Sequence, residues 1–187
     1  GGVLSHAPRR QQSAKMLIDS FLPEGITALA VDSIFMMPQL GVMANIEKKD
    51  LAEQARIAAL EVFDKDCLIR LGTCIAPVGS IESKKDVLKA EIEFSSGEKK
   101  EINLDGGDLV LIEADYQEIS ITLTPAKGID VGAGVNETIK TTVYGGQVGI
   151  IFDCRGRPLS LSKEPNKRIS ELNNWSKALN EYPSLEV

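Results

Sequence analysis

The chain has 187 residues, of which 43% are hydrophobic and 5% aromatic, and it carries a formal net charge of −6. This length suits one large domain or two small ones, with a core packed mainly by aliphatic side chains. The acidic balance argues against a nucleic-acid partner, which needs a concentrated basic surface, and no apolar run approaches the roughly 20 residues that span a bilayer.

The first third of the chain predicts helices around one short strand. Apolar residues recur at helical spacing over residues 14–22, and Pro23 follows them directly. Residues 26–31 predict a buried strand, and Pro38 suits the first turn of a second helix. A third helix over residues 51–63 has one apolar face that we expect to pack on a neighbouring element.

From Cys67 onward the pattern changes to short strands separated by turn residues. Apolar and charged residues alternate over 88–94, and apolar residues recur at every second position over 119–123, which predicts half-exposed antiparallel strands. About seven strands up to Asp153 predict a β-sandwich or a partly open barrel. A last helix, which Ser162 is expected to cap, follows this region.

The cysteines and the histidine predict no metal site. Cys67, Cys74 and Cys154 are scattered and His6 is the single histidine, whereas structural zinc needs four closely placed ligands. We therefore expect reduced, buried thiols and a cytoplasmic location. The chain begins at Gly-Gly without a methionine or a signal-peptide pattern, and we expect it to be a piece of a longer protein.

The loop from Asp130 to Gly134 is the first candidate for binding chemistry. Its Asp-x-Gly-x-Gly pattern can hold a phosphate through backbone N–H groups. The segment after it predicts a strand instead of a helix, and no Walker lysine accompanies it. The alternative interpretation is a glycine turn between two strands.

The second candidate is the arginine turn, residues 153–158, which follows the apolar run 148–152. Arg155 and Arg157 are candidate partner-binding residues, because a guanidinium suits carboxylates and phosphates. The alternative is that Asp153 pairs with one arginine and makes the turn rigid. No nucleophile accompanies the turn, so we predict no catalytic residue and expect replacement of both arginines by alanine to alter association more than folding.

Three blocks of sequence resemble one protein family. The first comprises Gly-Gly-Val-Leu-Ser-His-Ala-Pro at 1–8, Gly-Ile-Thr-Ala-Leu-Ala-Val-Asp at 25–32 and Pro-Gln-Leu-Gly at 38–41. The second is Leu-Gly-Thr-Cys-Ile-Ala-Pro-Val-Gly at 71–79 and the third, the most specific, is Gly-Gly-Gln-Val-Gly-Ile-Ile-Phe-Asp-Cys-Arg-Gly-Arg-Pro-Leu at 145–159. Together they resemble the C-terminal part of the glutamate mutase accessory proteins, the mutase L-like family of the actin/Hsp70/sugar-kinase ATPase superfamily.

The resemblance implies a chaperone-like or reactivating role beside an adenosylcobalamin-dependent mutase. It places Gly1 and Gly2 where such ATPases contact adenosine. The phosphate loops that hydrolyse ATP belong to the upstream part of the family, so the fragment is not expected to turn over ATP, and ATP is a cofactor of the full-length parent only. The implied partners are a mutase subunit and the missing N-terminal ATPase part.

The expected fold class is therefore α+β. By resemblance, residues 1–66 are a truncated actin-like ATPase lobe of helices and a short strand; residues 67–161 are a β-rich domain, and 162–187 are a C-terminal helix and tail. We expect a non-catalytic accessory module that acts through protein–protein contacts. The alternative is a small-molecule or phosphate-binding module that uses the Asp130 loop with the two arginines.

Overall fold

A computed structural model describes residues 2–47, 50–82 and 84–182. The α-helices in these ranges are α1 Arg10–Phe21, α2 Met37–Ala44, α3 Ala52–Val62 and α4 Pro165–Ala178. A 3₁₀ turn covers Gly2–His6 and a π-helical turn covers Phe63–Cys67. The strands are β1 Gly25–Asp32, β2 Leu68–Ala76, β3 Val78–Gly79, β4 Leu88–Glu93, β5 Lys99–Leu104, β6 Leu109–Ile112, β7 Glu118–Pro125, β8 Ile129–Asp130, β9 Ile139–Tyr144 and β10 Gly149–Asp153.

The central layer is a four-stranded mixed sheet in the order β1-β2-β10-β6. β1 pairs antiparallel with β2, whereas β10 lies parallel to β2 and antiparallel to β6. Every residue of β10 is buried, which explains its continuous apolar run, because a strand covered on both faces does not alternate. The expected boundary between residues 66 and 67 falls just before β2, so strands from both sides of it share one sheet.

A second, antiparallel sheet has the order β5-β4-β7-β9. β4 and β5 form a hairpin in which Leu88 lies opposite Leu104 and Glu93 lies opposite Lys99. Along β4, buried residues alternate with half-buried or exposed ones, as the period of two in its sequence predicts. A short pair, β3 with β8, completes the described β-structure.

The two large sheets pack face to face, and helices cover the outer face of the mixed sheet. Ile75, Ile150 and Phe152 of the mixed sheet share one core with the inward residues of β4 and β7. On the other face, Ile18 of α1 and Leu179 after α4 belong to a second core with residues of β1, β2 and β10. The molecule thus has a layer of helices, a mixed sheet and an antiparallel sheet.

Gly72 allows the two central strands of the mixed sheet to approach closely. A Cβ at this position would lie 1.9 Å from the carbonyl oxygen of Gly149, and the residue has a φ of +145°. Both the space and the backbone conformation therefore require glycine at residue 72. This contact joins the second and third blocks of the sequence within one sheet.

The helical pair α2 and α3 has a small core of its own, formed by Leu40, Ala59 and Cys67. Asp32, at the end of β1, caps α2: its Oδ2 accepts a hydrogen bond from Met37 N at 2.8 Å, and its Oδ1 accepts from Met36 N at 3.3 Å. Burial alone would raise the pKa of Asp32, but these backbone N–H groups outweigh it and hold the pKa below its usual range.

The predicted α+β class is confirmed, and the β-structure is a pair of packed sheets, not a closed barrel. The actin-like lobe stays a prediction. The expected cap of the last helix is wrong: α4 starts at Pro165 after Glu164, and Ser162 Oγ instead accepts a hydrogen bond from the Glu164 N–H at 3.2 Å. Of the helices that the structure describes, none has both the length and the apolar character that crossing a membrane requires.

Candidate functional site

The arginine turn lies on the helix-covered face of the mixed sheet. Successive residues of β10 point to opposite faces, and Ile150 and Phe152 belong to the core between the sheets. Ile151 belongs to the core beneath the helices, and Asp153, two residues later, shares its face. The strand therefore delivers a carboxylate to the contact between the sheet and α1 instead of to solvent.

Asp153 binds both arginines. Arg155 Nε donates to Oδ1 at 2.8 Å and Arg155 Nη2 donates to Oδ2 at 2.9 Å, a bidentate pair. Arg157 Nη2 also donates to Oδ2 at 2.9 Å. The side chains of Asp153, Arg155 and Arg157 are 0%, 1% and 4% exposed, so this is a buried ion cluster.

The cluster also holds the turn against two helices and a loop. Arg155 Nη2 donates to Asp19 Oδ1 of α1 at 2.8 Å, and the Arg155 guanidinium carbon lies 4.9 Å from the ring centre of Trp175 in α4. Arg157 Nε donates to the carbonyl oxygen of Pro23 at 2.9 Å. The expectation that Asp153 pairs with one arginine is thus exceeded, since it pairs with both.

The electrostatics of the cluster favour charged side chains in spite of burial. Burial alone would raise the pKa of Asp153, but the hydrogen bonds and charges of Arg155 and Arg157 outweigh it and lower the pKa. Burial would lower the pKa of Arg155, but its bonds to Asp153 and Asp19 raise it. The partner-binding role of the two arginines stays a prediction, and very little of either side chain is available to a partner.

A cavity of about 350 Å³ lies beside the cluster, between α4 and the loops that precede it. Arg155, Lys167 and Trp175 contribute to its wall, as do the carboxylate-bearing Glu82 and Glu171. Arg155 Nη1 is buried and has no hydrogen-bond partner among the described residues. The arrangement can offer cationic donors to a small anion.

The Asp130 loop uses its own backbone donors. Asp130 Oδ1 accepts hydrogen bonds from Gly132 N at 2.6 Å and Gly134 N at 3.0 Å, and these bonds lower the pKa of the carboxyl group. The N–H groups that a phosphate would need are therefore occupied by a carboxylate. Gly132 lies against Gly25, the first residue of β1, and Arg157 donates a hydrogen bond to the carbonyl oxygen of Pro23, two residues earlier. The two candidate regions therefore approach the same short stretch of chain without forming one site.

The predicted adenosine contact is only partly within the described residues. Gly1 lies outside them, and Gly2 begins the 3₁₀ turn that precedes α1. In the same turn, Ser5 Oγ is buried and has no hydrogen-bond partner among the described residues, so it has a free polar group that could face a ligand. The contact at Gly1 and Gly2 stays a prediction.

The cysteines are buried and do not form a metal cluster. Cys67, Cys74 and Cys154 are free thiols, and the described part of the chain groups no three His, Cys, Asp or Glu side chains suited to a metal ion. Burial, with the charge of Asp153 as a second cause, raises the pKa of Cys74 to about 12 and raises that of Cys154 as well. Such thiols are poor nucleophiles at neutral pH.

An exposed apolar region on α2 and α3 is the feature that the sequence did not predict. We call it the α2–α3 surface; it is a groove of about 210 Å³. The groove is lined by Met37, Leu40, Gly41, Ala44, Ala59, Leu60 and Phe63. Met37 is 56% exposed and Leu60 is 54% exposed. On the α3 face that we expect to pack on a neighbour, Ala59 is buried against α2 with Phe63 beside it, whereas Leu51 and Val62 stay exposed.

Comparison with known proteins gave no relative. No protein-family model, no curated protein and no solved structure significantly matches this chain.

Proposed function

We propose that this chain is a non-catalytic part of an ATPase-like accessory protein and acts through protein–protein contacts. Its partner in this proposal is an adenosylcobalamin-dependent mutase, which the resemblance of the three sequence blocks supports. The observation that carries a contact function is the α2–α3 surface, where a groove lined by apolar residues remains open. Apolar patches of this kind, on proteins in water, mark sites of association.

The chemistry of the α2–α3 surface suits an apolar segment of a partner. Two short helices that pack on each other form its walls. The relative position of the two helices therefore shapes the groove, together with their side chains. Met37 supplies a flexible, polarisable side chain that adapts to varied partner shapes. An amphipathic helix that buries its apolar face in the groove fits this geometry.

The test is binding of the protein to an adenosylcobalamin-dependent glutamate mutase, measured by surface plasmon resonance. Met37→Glu/Leu60→Glu places two carboxylates on the α2–α3 surface, and we expect at least about tenfold weaker binding because these charges must then be desolvated. Ile169→Glu, at an exposed apolar position of α4, is the matched control and should bind like the wild type. Unchanged binding by the double variant would exclude this surface.

Point variants are preferable to truncation because the two parts of the chain share a sheet. Removal of residues 67–187 would leave β1 without β2, its pairing partner over eight registered positions from Gly25 with Ala76 to Asp32 with Leu68. A loss of binding after truncation would then report unfolding and not a missing contact. Thermal melting of each point variant shows that its fold is retained.

ATP enters this proposal only through the full-length parent. The resemblance places Gly1 and Gly2 against the adenosine, and Gly2 begins the 3₁₀ turn that precedes α1. When bound, ATP would supply the energy of its hydrolysis for the chaperone-like or reactivating role that the resemblance implies. The residues described here would position the nucleotide and take no chemical step.

A small-molecule site is the second candidate function, and the cavity beside Arg155 favours it. We propose a carboxylate or phosphate as the ligand class, with Arg155 Nη1 and Lys167 as donors. Isothermal titration with inorganic phosphate and with simple dicarboxylates tests this candidate. Heat that disappears in Lys167→Ala would support it, and no heat with either class of probe would reject it.

A further inference from the structure

The sheet edges of this protein differ in how they are protected. The antiparallel sheet ends at β5 and β9, and both carry lysines, Lys99 and Lys100 on β5 and Lys140 on β9. Lysines at an edge discourage pairing with another strand, because their charge would have to be buried or screened. The mixed sheet ends at β1 and β6, and neither carries a lysine or an arginine.

β1 is the longer of the two unprotected edges. It has eight residues, Gly-Ile-Thr-Ala-Leu-Ala-Val-Asp, whereas β6 has four. Its one charged residue, Asp32, is buried and occupied as the cap of α2. β1 contains no proline, and its one irregularity is a register shift between Leu29 and Ala30. Apart from that shift, β1 lacks the usual features that prevent edge pairing.

The outer edge of β1 is also free of backbone partners over most of its length. None of the backbone hydrogen bonds that the described residues make outside their helices and sheets involves residues 25–32. Gly132 lies against Gly25 and the backbone nitrogen of Ile26, so the first two residues are covered, and Ala28 in the middle of the strand is exposed. Outward N–H and C=O groups from residue 27 to residue 31 are therefore available to another strand.

Exposed apolar side chains flank β1 at both ends. Phe21, which ends α1, is 74% exposed, and Ile34, two residues beyond the end of β1, is 55% exposed. Phe35 is also an exposed apolar residue. In an antiparallel pair the beginning of one strand meets the end of the other, so these flanks complement each other when the second strand is another β1.

We propose that β1 pairs antiparallel with β1 of a second copy of this chain, about a twofold axis near Ala28. The pair joins two mixed sheets into one continuous sheet of eight strands, twice the four of one copy. Phe21 of one copy then packs beside Ile34 and Phe35 of the other. We choose a second copy as the partner because β1 is itself an extended segment without lysine or arginine, as such an edge accepts. Twofold pairing also uses the same surface on both copies.

The test is sedimentation velocity of the whole chain from low micromolar to several hundred micromolar concentration. We expect a monomer–dimer equilibrium for the wild type. Ala28→Lys places a charge at the centre of the interface in both copies, and we expect it to raise the dimer dissociation constant by about tenfold or more. Hydrogen exchange at the outward amides within residues 27–31 should slow as the wild-type concentration rises and should not slow in the variant.

Thr142→Lys is the matched control, because Thr142 is exposed in β9, the edge of the other sheet. It should dimerise like the wild type, and thermal melting should show both lysine variants folded. A wild type that stays monomeric at every concentration overturns the proposal. So does a dimer that Ala28→Lys leaves intact, or one that Met37→Glu/Leu60→Glu abolishes while Ala28→Lys does not, since the contact would then lie on the α2–α3 surface.

Discussion

Replacing Asp153 by asparagine is the most direct test of what the arginine turn does. The side chain is completely buried and accepts four hydrogen bonds: Arg155 N, Arg155 Nε, Arg155 Nη2 and Arg157 Nη2 are the donors. Asparagine keeps the size of the side chain but removes the negative charge. Of the two buried guanidinium groups, only that of Arg155 then keeps a carboxylate partner, Asp19, which also pairs with Lys15.

The expected loss follows from the burial of the cluster. Breaking a buried ion pair by removing one partner costs about 3–5 kcal/mol, because the remaining charge stays desolvated. No reduction for solvent screening applies to a carboxylate that is 0% exposed. For a chain of this length that corresponds to a fall of roughly 6–20 °C in melting temperature. The turn is thus expected to matter more for folding than for association, which reverses the expectation from sequence.

Urea unfolding followed by tryptophan fluorescence measures the effect. Trp175 is the single tryptophan and packs on Arg155, so its emission reports the cluster directly. Arg56→Ala is the control, because it removes the pair between Arg56 and Glu53, which are 54% and 66% exposed, so that solvent screening leaves this pair little effect on stability. If Asp153→Asn lost no more stability than this control, the ion cluster would not stabilise the fold.

The pH dependence of stability gives an independent check that Asp153 stabilises the fold as a charged carboxylate. The pKa of Asp153 is lower in the folded protein than in the unfolded chain, where it is about 3.9. Its contribution to stability is therefore fully present above the unfolded pKa and is lost as the pH falls through the folded pKa. The difference between wild type and Asp153→Asn should be constant near neutral pH and should shrink below about pH 4.

Three further predictions concern other positions. Gly72→Ala should lose more than about 3 kcal/mol or fail to fold, because its Cβ would collide with a carbonyl oxygen, whereas Gly41→Ala, with open space around it, should be neutral or slightly stabilising by melting temperature. Asp32→Ala should cost about 1 kcal/mol in urea unfolding through loss of the α2 cap, and an unchanged midpoint would contradict the capping role. Cys74 and Cys154 should not react with Ellman's reagent at pH 8 until guanidinium unfolds the chain, since both are fully buried.

The strands of this protein were largely predictable because their patterns are local. Alternation over residues 88–94 predicted the strand that the structure shows as β4. The apolar run before Asp153 gave β10 as a buried strand. The helix over residues 14–22 was found as α1 with an earlier start, Arg10, because polar residues fill its first turn.

The α2–α3 surface was not predictable because amphipathic periodicity does not say what covers an apolar face. The pattern over residues 51–63 predicted packing on a neighbour, yet only Ala59 of α3 is buried. α2 covers Ala59 and part of Phe63, which also line the groove, whereas Leu51 and Val62 of the same face stay exposed. Whether such a face meets another part of the same chain or a different molecule depends on the tertiary arrangement alone.

The sequence by itself determined the α+β class, most strand positions and the presence of a charged turn after a buried strand. Only the tertiary structure decided what that turn does. Asp19 and Arg155 are separated by 136 positions and Pro23 and Arg157 by 134, and their contacts exist because β10 lies parallel to β2 beneath α1. Local patterns record burial and periodicity, but the pairing of distant charges depends on strand order, which no short segment encodes. The two arginines that looked like partner contacts are therefore held inside the protein by a buried carboxylate.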